Sequence, residues 1–286
     1  MPVGSTPSDL RIKLMQLEHL DAVVQMMREE GWTPTRGDLA NVLSYEPEGC
    51  FIAEVNGEVV GSVTTTLYTH FGWIGMMMVR KDLRRRHIGS TLLKTALKYF
   101  KKKSVPTARL EADPPGVPLY ESFGFVKECD SQRWFGEPFK IRNVPGTGRA
   151  TKADLEAVLA LDKRAFGDDR SRVLTRLFEY SDFAFKVRKD PSLGIIMGRK
   201  TAVGTLLGPF IAANANVAKR LLRWAIGFVE EGQAYVGIPE TCGNARLLLT
   251  SQRFRIKSVL TRMYWGDPPR SGNPQLEYGI AASATG

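Results

Sequence analysis

The fold is decided by the stretch Met76-Met-Met-Val-Arg-Lys-Asp-Leu-Arg-Arg-Arg-His-Ile-Gly-Ser-Thr-Leu-Leu93. An apolar run leads through a basic turn into an amphipathic pattern, which predicts a strand over Trp73–Val79 and a helix over Ile88–Lys102. The first turn of a helix has unpaired backbone N–H groups and the positive end of the helix dipole. Gly89 lets a ligand approach the backbone closely. Three arginines add positive charge at the same point: Arg84, Arg85 and Arg86. This junction is therefore predicted to bind phosphate groups.

The flanking sequence predicts alternating strands and helices. A capping box is expected where Thr35 precedes Asp38 by three positions, and a hairpin at Asn56-Gly57. The remaining predicted elements are strands at Arg11–Leu17, Cys50–Val55, Val59–Leu67 and Ala108–Ala112, a helix ending at Gly31, a short helix around Leu119–Ser122, and a strand that begins at Phe125.

The second half of the chain repeats landmarks of the first half. Leu92 and Leu93 align with Leu221 and Leu222, and Phe125 aligns with Phe254 at the same offset of 129 residues. Constant spacing of this kind indicates a divergent internal duplication. Chance similarity between two amphipathic helices is the alternative. Proline and glycine in residues 138–149 indicate a linker, so we expect domains at residues 8–140 and 147–286.

Two motifs resemble the GNAT acetyltransferase superfamily. That family carries Arg/Gln-x-x-Gly-x-Gly/Ala between a strand and a helix, and here Arg84 and Gly89 fit its ends, whereas His87 replaces the middle glycine. Downstream, Leu119-Tyr120 followed by Phe123-Gly124-Phe125 is similar to a second signature of the family. Other stretches resemble a subgroup with a second GNAT-like half: residues 31–38, 49–54, 71–76, 166–170 and 208–212.

The resemblance implies a tandem GNAT-like α/β (α+β) fold. Its sheet would be mixed, mostly antiparallel and twisted, with helices on both faces and two pseudo-repeats. It also implies an N-acetyltransferase that uses acetyl-CoA as co-substrate and transfers the acetyl group to a primary amine by direct attack in a ternary complex. The residues expected to bind acetyl-CoA are Met77, Met78, Val79, Arg84, Arg85, Arg86, His87, Ile88, Gly89 and Ser90.

The same resemblance implies three catalytic groups. The Tyr120 phenol would protonate the leaving thiolate, and a backbone N–H at Met77 would stabilise the developing oxyanion. Glu111 is the preferred base, with Asp113 as the other carboxylate on its strand. The acceptor pocket is expected to be lined by Trp32, Asp38, Tyr68 and Trp73. Each of these residues also has a structural interpretation, as a packing aromatic or as a capping carboxylate.

The second half lacks the catalytic landmarks. The offset of 129 maps Arg84, Gly89 and Tyr120 onto small or apolar residues: Ala213, Ala218 and Leu249. We therefore expect a GNAT-like shape without a working cofactor site, which would cover the first half and shape the acceptor pocket. Four charged residues could reach that pocket or serve as capping and surface charges: Asp162, Asp168, Asp169 and Arg170.

Composition excludes several classes of protein. With 43% hydrophobic residues and no apolar run long enough to cross a bilayer, a membrane-spanning protein is not expected. The start of the chain has no signal-peptide pattern, so we expect a cytoplasmic protein. Three scattered cysteines and three histidines predict neither disulfides nor a metal site. The acceptor would be a small-molecule or peptide amine.

Two other functions compete with acetyl transfer. The net charge of +10 lies mostly in residues 146–286, with 21 basic against 13 acidic residues, which raises nucleic-acid binding as a less favoured function. No nucleic-acid-binding motif accompanies that charge. The other competitor is a non-catalytic acetyl-CoA sensor, because His87 departs from the family motif.

Overall fold

The computed structural model describes residues 4–139, 144–270 and 272–286. By their contacts, these residues form two compact units. Unit one comprises the described residues up to Lys127, together with Met263–Pro269 and Thr285. Unit two comprises the described residues of Glu128–Arg262 and Arg270–Ala284, together with Gly286.

The first half of the sequence folds into ten elements in the order strand, two helices, three strands, helix, strand, helix, strand. They are β1 (Arg11–Leu14), α1 (Leu20–Glu29), α2 (Arg36–Tyr45), β2 (Phe51–Val55), β3 (Glu58–Leu67), β4 (Gly72–Val79), α3 (Ile88–Lys102), β5 (Thr107–Ala112), α4 (Val117–Glu121) and β6 (Val126–Gly136).

The second half repeats that order and adds one short strand. Its elements are β7 (Thr147–Arg149), α5 (Lys152–Phe166), α6 (Ser171–Tyr180), β8 (Phe183–Val187), β9 (Gly194–Thr201), β10 (Gly204–Ala212), α7 (Ala215–Ile226), β11 (Gln233–Pro239), α8 (Gly243–Ser251), β12 (Arg255–Gly266) and β13 (Glu277–Gly279). The predicted duplication is confirmed, because the two series match element by element.

Local sequence signals explain several element boundaries. Asn56 and Gly57 have φ angles of 51° and 80°, as a two-residue hairpin between β2 and β3 requires. Thr35 and Asp38 form the predicted reciprocal capping box at the start of α2. Two predictions differ from the structure by several residues. The first strand was predicted to run to Leu17, but β1 ends at Leu14, and the strand β7 lies within the predicted linker. Residues 140–143 of that linker lie outside the described residues.

Unit one is built on a mixed sheet with strand order β1-β2-β3-β4-β5, followed by the end of β12. Neighbours from β1 to β4 are antiparallel, whereas β4 and β5 are parallel. Separate apolar clusters cover its two faces. One contains the buried side chains of α3 with Tyr120, and the other contains those of α1 with Leu39 and Leu43 of α2.

Unit two has the strand order β6-β11-β10-β9-β8-β7, with β13 paired to β10. β10 and β11 are parallel, like β4 and β5. Unit one thus holds the end of β12, and unit two holds most of β6. Mixed, mostly antiparallel sheets with packed helices confirm the predicted fold class. Within the described part of the chain, no helix is both long enough and apolar enough to cross a membrane.

Candidate functional site

The parallel strands β4 and β5 separate part-way along their length. Their pairing joins Gly72 to Ala108, Trp73 to Arg109 and Ile74 to Leu110, and no described residue beyond Ile74 in β4 pairs with β5. A gap therefore opens beside the segment 75–79. Parallel ladders otherwise continue with evenly spaced hydrogen bonds, so an early end exposes backbone groups to a ligand.

The backbone direction at the end of β4 shows which groups face this gap. The Arg80 N–H donates to the Val60 carbonyl at 2.8 Å, on the β3 side of the strand. Peptide groups alternate in direction along a strand, so those of Val79 point away from β3. The Val79 carbonyl accepts from Arg84 Nε at 3.0 Å, so an extended ligand that paired with this edge as an added strand would use the Val79 N–H.

Helix α3 begins beside the same end of β4. Its N-cap residue is His87, and no described side chain caps the N–H groups of its first turn. The Ser90 and Thr91 hydroxyls instead donate to the His87 carbonyl, at 3.2 and 2.9 Å. The first-turn N–H groups and the helix dipole are thus available to an anion.

The turn before α3 has a left-handed backbone at two positions. His87 has a φ of 59° and Arg85 a φ of 64°. Glycine adopts such angles without steric cost, and histidine is one of the side chains enriched there. His87 therefore has a left-handed conformation of the kind that glycine adopts without steric cost.

The three arginines of the turn have different surroundings. Arg84 donates to the Val79 carbonyl at 3.0 Å and forms an ion pair with Glu30. The hydrogen bond from Arg84 lowers the pKa of the Glu30 carboxyl. Arg85 and Arg86 are exposed, and the Arg85 carbonyl accepts from the Gly4 N–H at 3.0 Å. Arg84 thus braces the turn, while the charges of Arg85 and Arg86 face solvent beside the helix start.

Gly89 lies where β4, α3 and α4 meet. A Cβ at this position would come within 3.3 Å of Leu119 Cδ2, 3.7 Å of Val79 Cγ2 and 3.9 Å of Met77 Cε. A small residue therefore keeps the helix start close to the strand end. Ile88, next to it, is 1% exposed and anchors this first turn in the core.

Tyr120 is buried on the α3 side of the sheet. Its ring meets Phe125 edge-on with centroids 5.7 Å apart, and both belong to the core that contains Leu110 and Ala112. Burial, together with the nearby charge of Asp113, raises the pKa of the Tyr120 phenol above its ordinary value. The phenol therefore retains its proton at neutral pH.

The two carboxylates of the β5 region differ in position. Glu111 is half-buried and is the first residue of β5 after the last pair with β4. Its neighbours Leu110 and Ala112 face the Tyr120 core, so Glu111 lies on the opposite face of the strand. Asp113 is exposed and follows the strand. The structure thus places Glu111 and Tyr120 on opposite faces of the sheet at β5.

Each predicted acceptor residue makes contacts within unit one. Asp38 accepts from the Thr35 N–H at 2.8 Å, as its capping role requires. Trp73 is fully buried, and the Arg109 guanidinium stacks on it 5.7 Å from the ring centroid. The Tyr68 hydroxyl donates to the Thr285 carbonyl at 2.5 Å. Trp32 is partly buried against the α1–α2 core. Asp38, Trp73 and Tyr68 thus have structural contacts, and the binding of an acceptor by these residues and Trp32 stays a prediction.

Sequence reasoning missed an irregularity in β4. Ser62 pairs with Met78 and Thr64 with Gly75, so two β4 residues oppose the single residue Val63, and Met76 has a φ of 45°. This is a β-bulge. A glycine inside an apolar strand, here Gly75, was the available signal for it.

In unit two, the corresponding features are closed. Asn214 caps α7 by accepting from the Val217 N–H at 3.0 Å. β10 and β11 also pair over only three residues, but β13 fills the space beyond them. Phe210 of β10 pairs with Gly279, and the Ile280 N–H donates to the Gly237 carbonyl of β11 at 2.9 Å.

Of Asp162, Asp168, Asp169 and Arg170, three are almost fully buried and Asp169 is exposed. Arg170 forms a buried ion pair with Asp162 at 2.8 Å, and its Nη1 donates to the Gly286 carbonyl at 3.2 Å. Arg170 and Asp162 therefore form a buried ion pair in the interior of unit two. The described residues contain no group of three or more potential metal ligands.

The chain is similar in sequence to known proteins. Residues 15–125 match the model of the acetyltransferase (GNAT) family, and residues 158–279 match a second acetyltransferase (GNAT) domain. Holothin acyltransferase of Pseudoalteromonas sp. (strain SANK 73390) is 26% identical over 224 residues, 77% of this chain and 75% of that protein. The N-acetyltransferase YitH of Bacillus subtilis (strain 168), itself uncharacterized, is 26% identical over 81% of this chain and 82% of its own length.

A solved structure agrees with these matches over the whole chain. A proposed acetyltransferase from Pyrococcus horikoshii superimposes with a TM-score of 0.87 at 26% identity, covering 100% of this chain and 99% of that one. Together, the two matched domains, the relatives and the geometry show that the chain belongs to the GNAT acetyltransferase family, with two GNAT domains in tandem, and that it is an acyltransferase.

Proposed function

We propose that the chain transfers the acetyl group of acetyl-CoA to the primary amine of a small molecule or peptide, by direct attack in a ternary complex. One observation carries the proposal: in unit one, the gap between β4 and β5 lies beside an uncapped, basic helix start. Unit two has neither feature open, so the proposed site is in unit one.

The residues at this junction fit the chemistry of a nucleotide thioester. The first-turn N–H groups of α3 suit a pyrophosphate, and Arg85 and Arg86 supply exposed charge beside it. The edge of β4 suits the amide-containing arm of the same molecule. The proposed contacts come from Met77, Met78, Val79, Arg84, Arg85, Arg86, His87, Ile88, Gly89 and Ser90.

Acetyl-CoA supplies a thioester whose carbonyl carbon accepts the amine. Glu111 takes a proton from the amine, directly or through water, as the N–C bond forms and the C–S bond breaks. The Met77 N–H stabilises the negative charge on the carbonyl oxygen. Tyr120 gives its proton to the sulfur and regains one from solvent. Glu111 of β5 and Tyr120 of α4 lie on opposite faces of the sheet, which suits an amine that enters from the face away from the leaving group.

The function is tested by measuring CoA release from acetyl-CoA with a panel of small amines, amino acids and peptide N-termini. Amine-dependent release is expected. Its absence across the panel, despite acetyl-CoA binding, would favour a sensor instead.

The site is tested with Arg86→Glu, which we expect to weaken acetyl-CoA binding about 10-fold, because it reverses a charge beside the phosphate position. Lys102→Glu is the matched control. It changes the net charge equally but lies at the other end of α3, and its affinity should change less than about 2-fold at moderate salt. Equal losses in the two variants, measured by calorimetric titration, would contradict the proposed site.

A further inference from the structure

The bulge in β4 depends on a side chain from the neighbouring strand. The Ser62 hydroxyl, on β3, donates to the Met76 carbonyl at 2.7 Å. Ser62 is 0% exposed, so water does not compete for this bond. Met76 is a non-glycine residue with a φ of 45°, a conformation that persists only where surrounding contacts hold it.

This hydrogen bond also fixes the direction of a backbone donor. A trans peptide is planar, and its C=O and N–H point in opposite directions. The Met76 carbonyl and the Met77 N–H belong to one such peptide. Because Ser62 holds the carbonyl, the Met77 N–H must point away from Ser62.

We propose that Ser62 is a positioning residue, which aims the Met77 N–H at the carbonyl oxygen of the acetyl group. The inference rests on the proposed function, because it assigns that N–H to oxyanion stabilisation. Such a donor acts only if its direction is fixed before the reaction begins. The sequence carries no signal for this role, since Ser62 looks like an ordinary polar residue of a strand.

The first test is Ser62→Ala, which removes the hydroxyl and leaves the carbonyl unanchored. We expect kcat to fall between about 10- and 100-fold, as for a displaced catalytic group, while KM for acetyl-CoA changes less than about 3-fold. In the free protein, hydrogen exchange of a peptide spanning residues 76–79 should become faster. Ser62→Cys keeps a weak donor of similar size and should give intermediate values of both quantities.

Thr65→Val is the matched control on the same strand. Thr65 is also 0% exposed, and its hydroxyl donates to the Gly49 carbonyl at 2.9 Å. The variant therefore loses one buried hydroxyl-to-carbonyl bond without touching the bulge. We expect kcat and the exchange of residues 76–79 to remain at wild-type values.

The outcomes separate two failures. If wild-type protein turns over an amine and Ser62→Ala keeps kcat within about 2-fold, the positioning role is wrong and the proposed function stands. If Ser62→Ala and Thr65→Val lower kcat equally, Ser62 is merely structural, and the inference is again overturned. If wild-type protein binds acetyl-CoA but releases no CoA with any amine, the proposed function fails and the inference fails with it.

Discussion

Tyr120 is buried in the core that also contains Leu110 and Ala112 of β5. A buried phenol is disfavoured as phenolate, which is why its pKa lies above the ordinary value. In the proposed mechanism, this residue acts as a proton donor, and it stays protonated throughout the pH range near neutrality. The same burial also fits a packing role, so the residue needs a kinetic test.

Tyr120→Phe should lower kcat about 100-fold and leave acetyl-CoA affinity nearly unchanged, because it removes the acid without removing the ring. Tyr99→Phe is the control, since Tyr99 lies in the same core and its hydroxyl bonds Glu46 instead. Steady-state kinetics and calorimetric titration would measure both quantities. A wild-type rate in Tyr120→Phe would remove the residue from the mechanism.

The raised pKa of Tyr120 also predicts a pH dependence. The folded value lies above the ordinary 10.0, so the neutral phenol predominates at and below pH 10, and its contribution to stability is lost only as pH rises above that value. We therefore expect kcat to show no alkaline decline below about pH 10 in wild-type protein. If kcat of the wild-type protein declined with a midpoint near pH 8, and kcat of Tyr120→Phe did not, the raised pKa would be contradicted.

His87 shows how a departure from a family motif can be conservative in conformation. The position has a φ of 59°, which glycine would adopt freely, and histidine accepts it at a modest cost. The conformation of the turn is therefore compatible with histidine at this position. This residue was the reason for considering a non-catalytic sensor, and its left-handed backbone weakens that reason.

At the scale of elements, the starts of α3 and α7 form a natural comparison. They are matching elements of the two halves, yet α3 is uncapped and basic, whereas Asn214 closes α7. The strands beside these helices differ in the same way. The gap between β4 and β5 is open, whereas β13 occupies the space between β10 and β11. Two independent features therefore close the second copy.

The close packing of Gly208 against the residue that follows β13 predicts that a larger side chain at this position lowers the stability of the protein. A Cβ there would lie 2.0 Å from the Ile280 carbonyl oxygen, so Gly208→Ala must displace backbone. We expect the free energy of unfolding to fall by about 1–3 kcal/mol. Gly243→Ala is the control, because its Cβ would meet nothing within 4 Å, and it should change stability by less than about 0.5 kcal/mol. Denaturant titration distinguishes them. Equal stability of both variants would mean that β13 packs loosely.

For the whole molecule, the closed second copy predicts the binding stoichiometry. One acetyl-CoA should bind per chain, because the strand gap of unit two is already filled by the chain itself. Calorimetric titration of the full chain gives this number directly. Arg86→Glu should weaken the single site without revealing another. Two equivalents per wild-type chain would show that β13 yields its place to the ligand.

Much of the chain was predictable because its signals are local. The hairpin at Asn56-Gly57, the capping box of Thr35 and Asp38, and the helix after the basic turn each depend on neighbouring residues. The internal repeat was also predictable, because apolar landmarks of the first half recur in the second half at a constant offset. The acceptor residues were harder to assign, because an aromatic such as Trp73 has the same appearance in sequence whether it lines a pocket or fills a core.

The sequence by itself determined the order of elements, the basic strand–turn–helix junction and the Tyr120 signature, since periodicity and turn chemistry act over a few residues. Only the tertiary structure decided that β4 parts from β5, that the Ser62 hydroxyl bonds the carbonyl of the bulged Met76, and that β13 lies beside the end of the β10–β11 pairing. The physical reason is that strand pairing joins residues far apart in the chain. Backbone hydrogen bonds between strands are common to all residue types except proline, so a local sequence pattern does not show where such pairing ends.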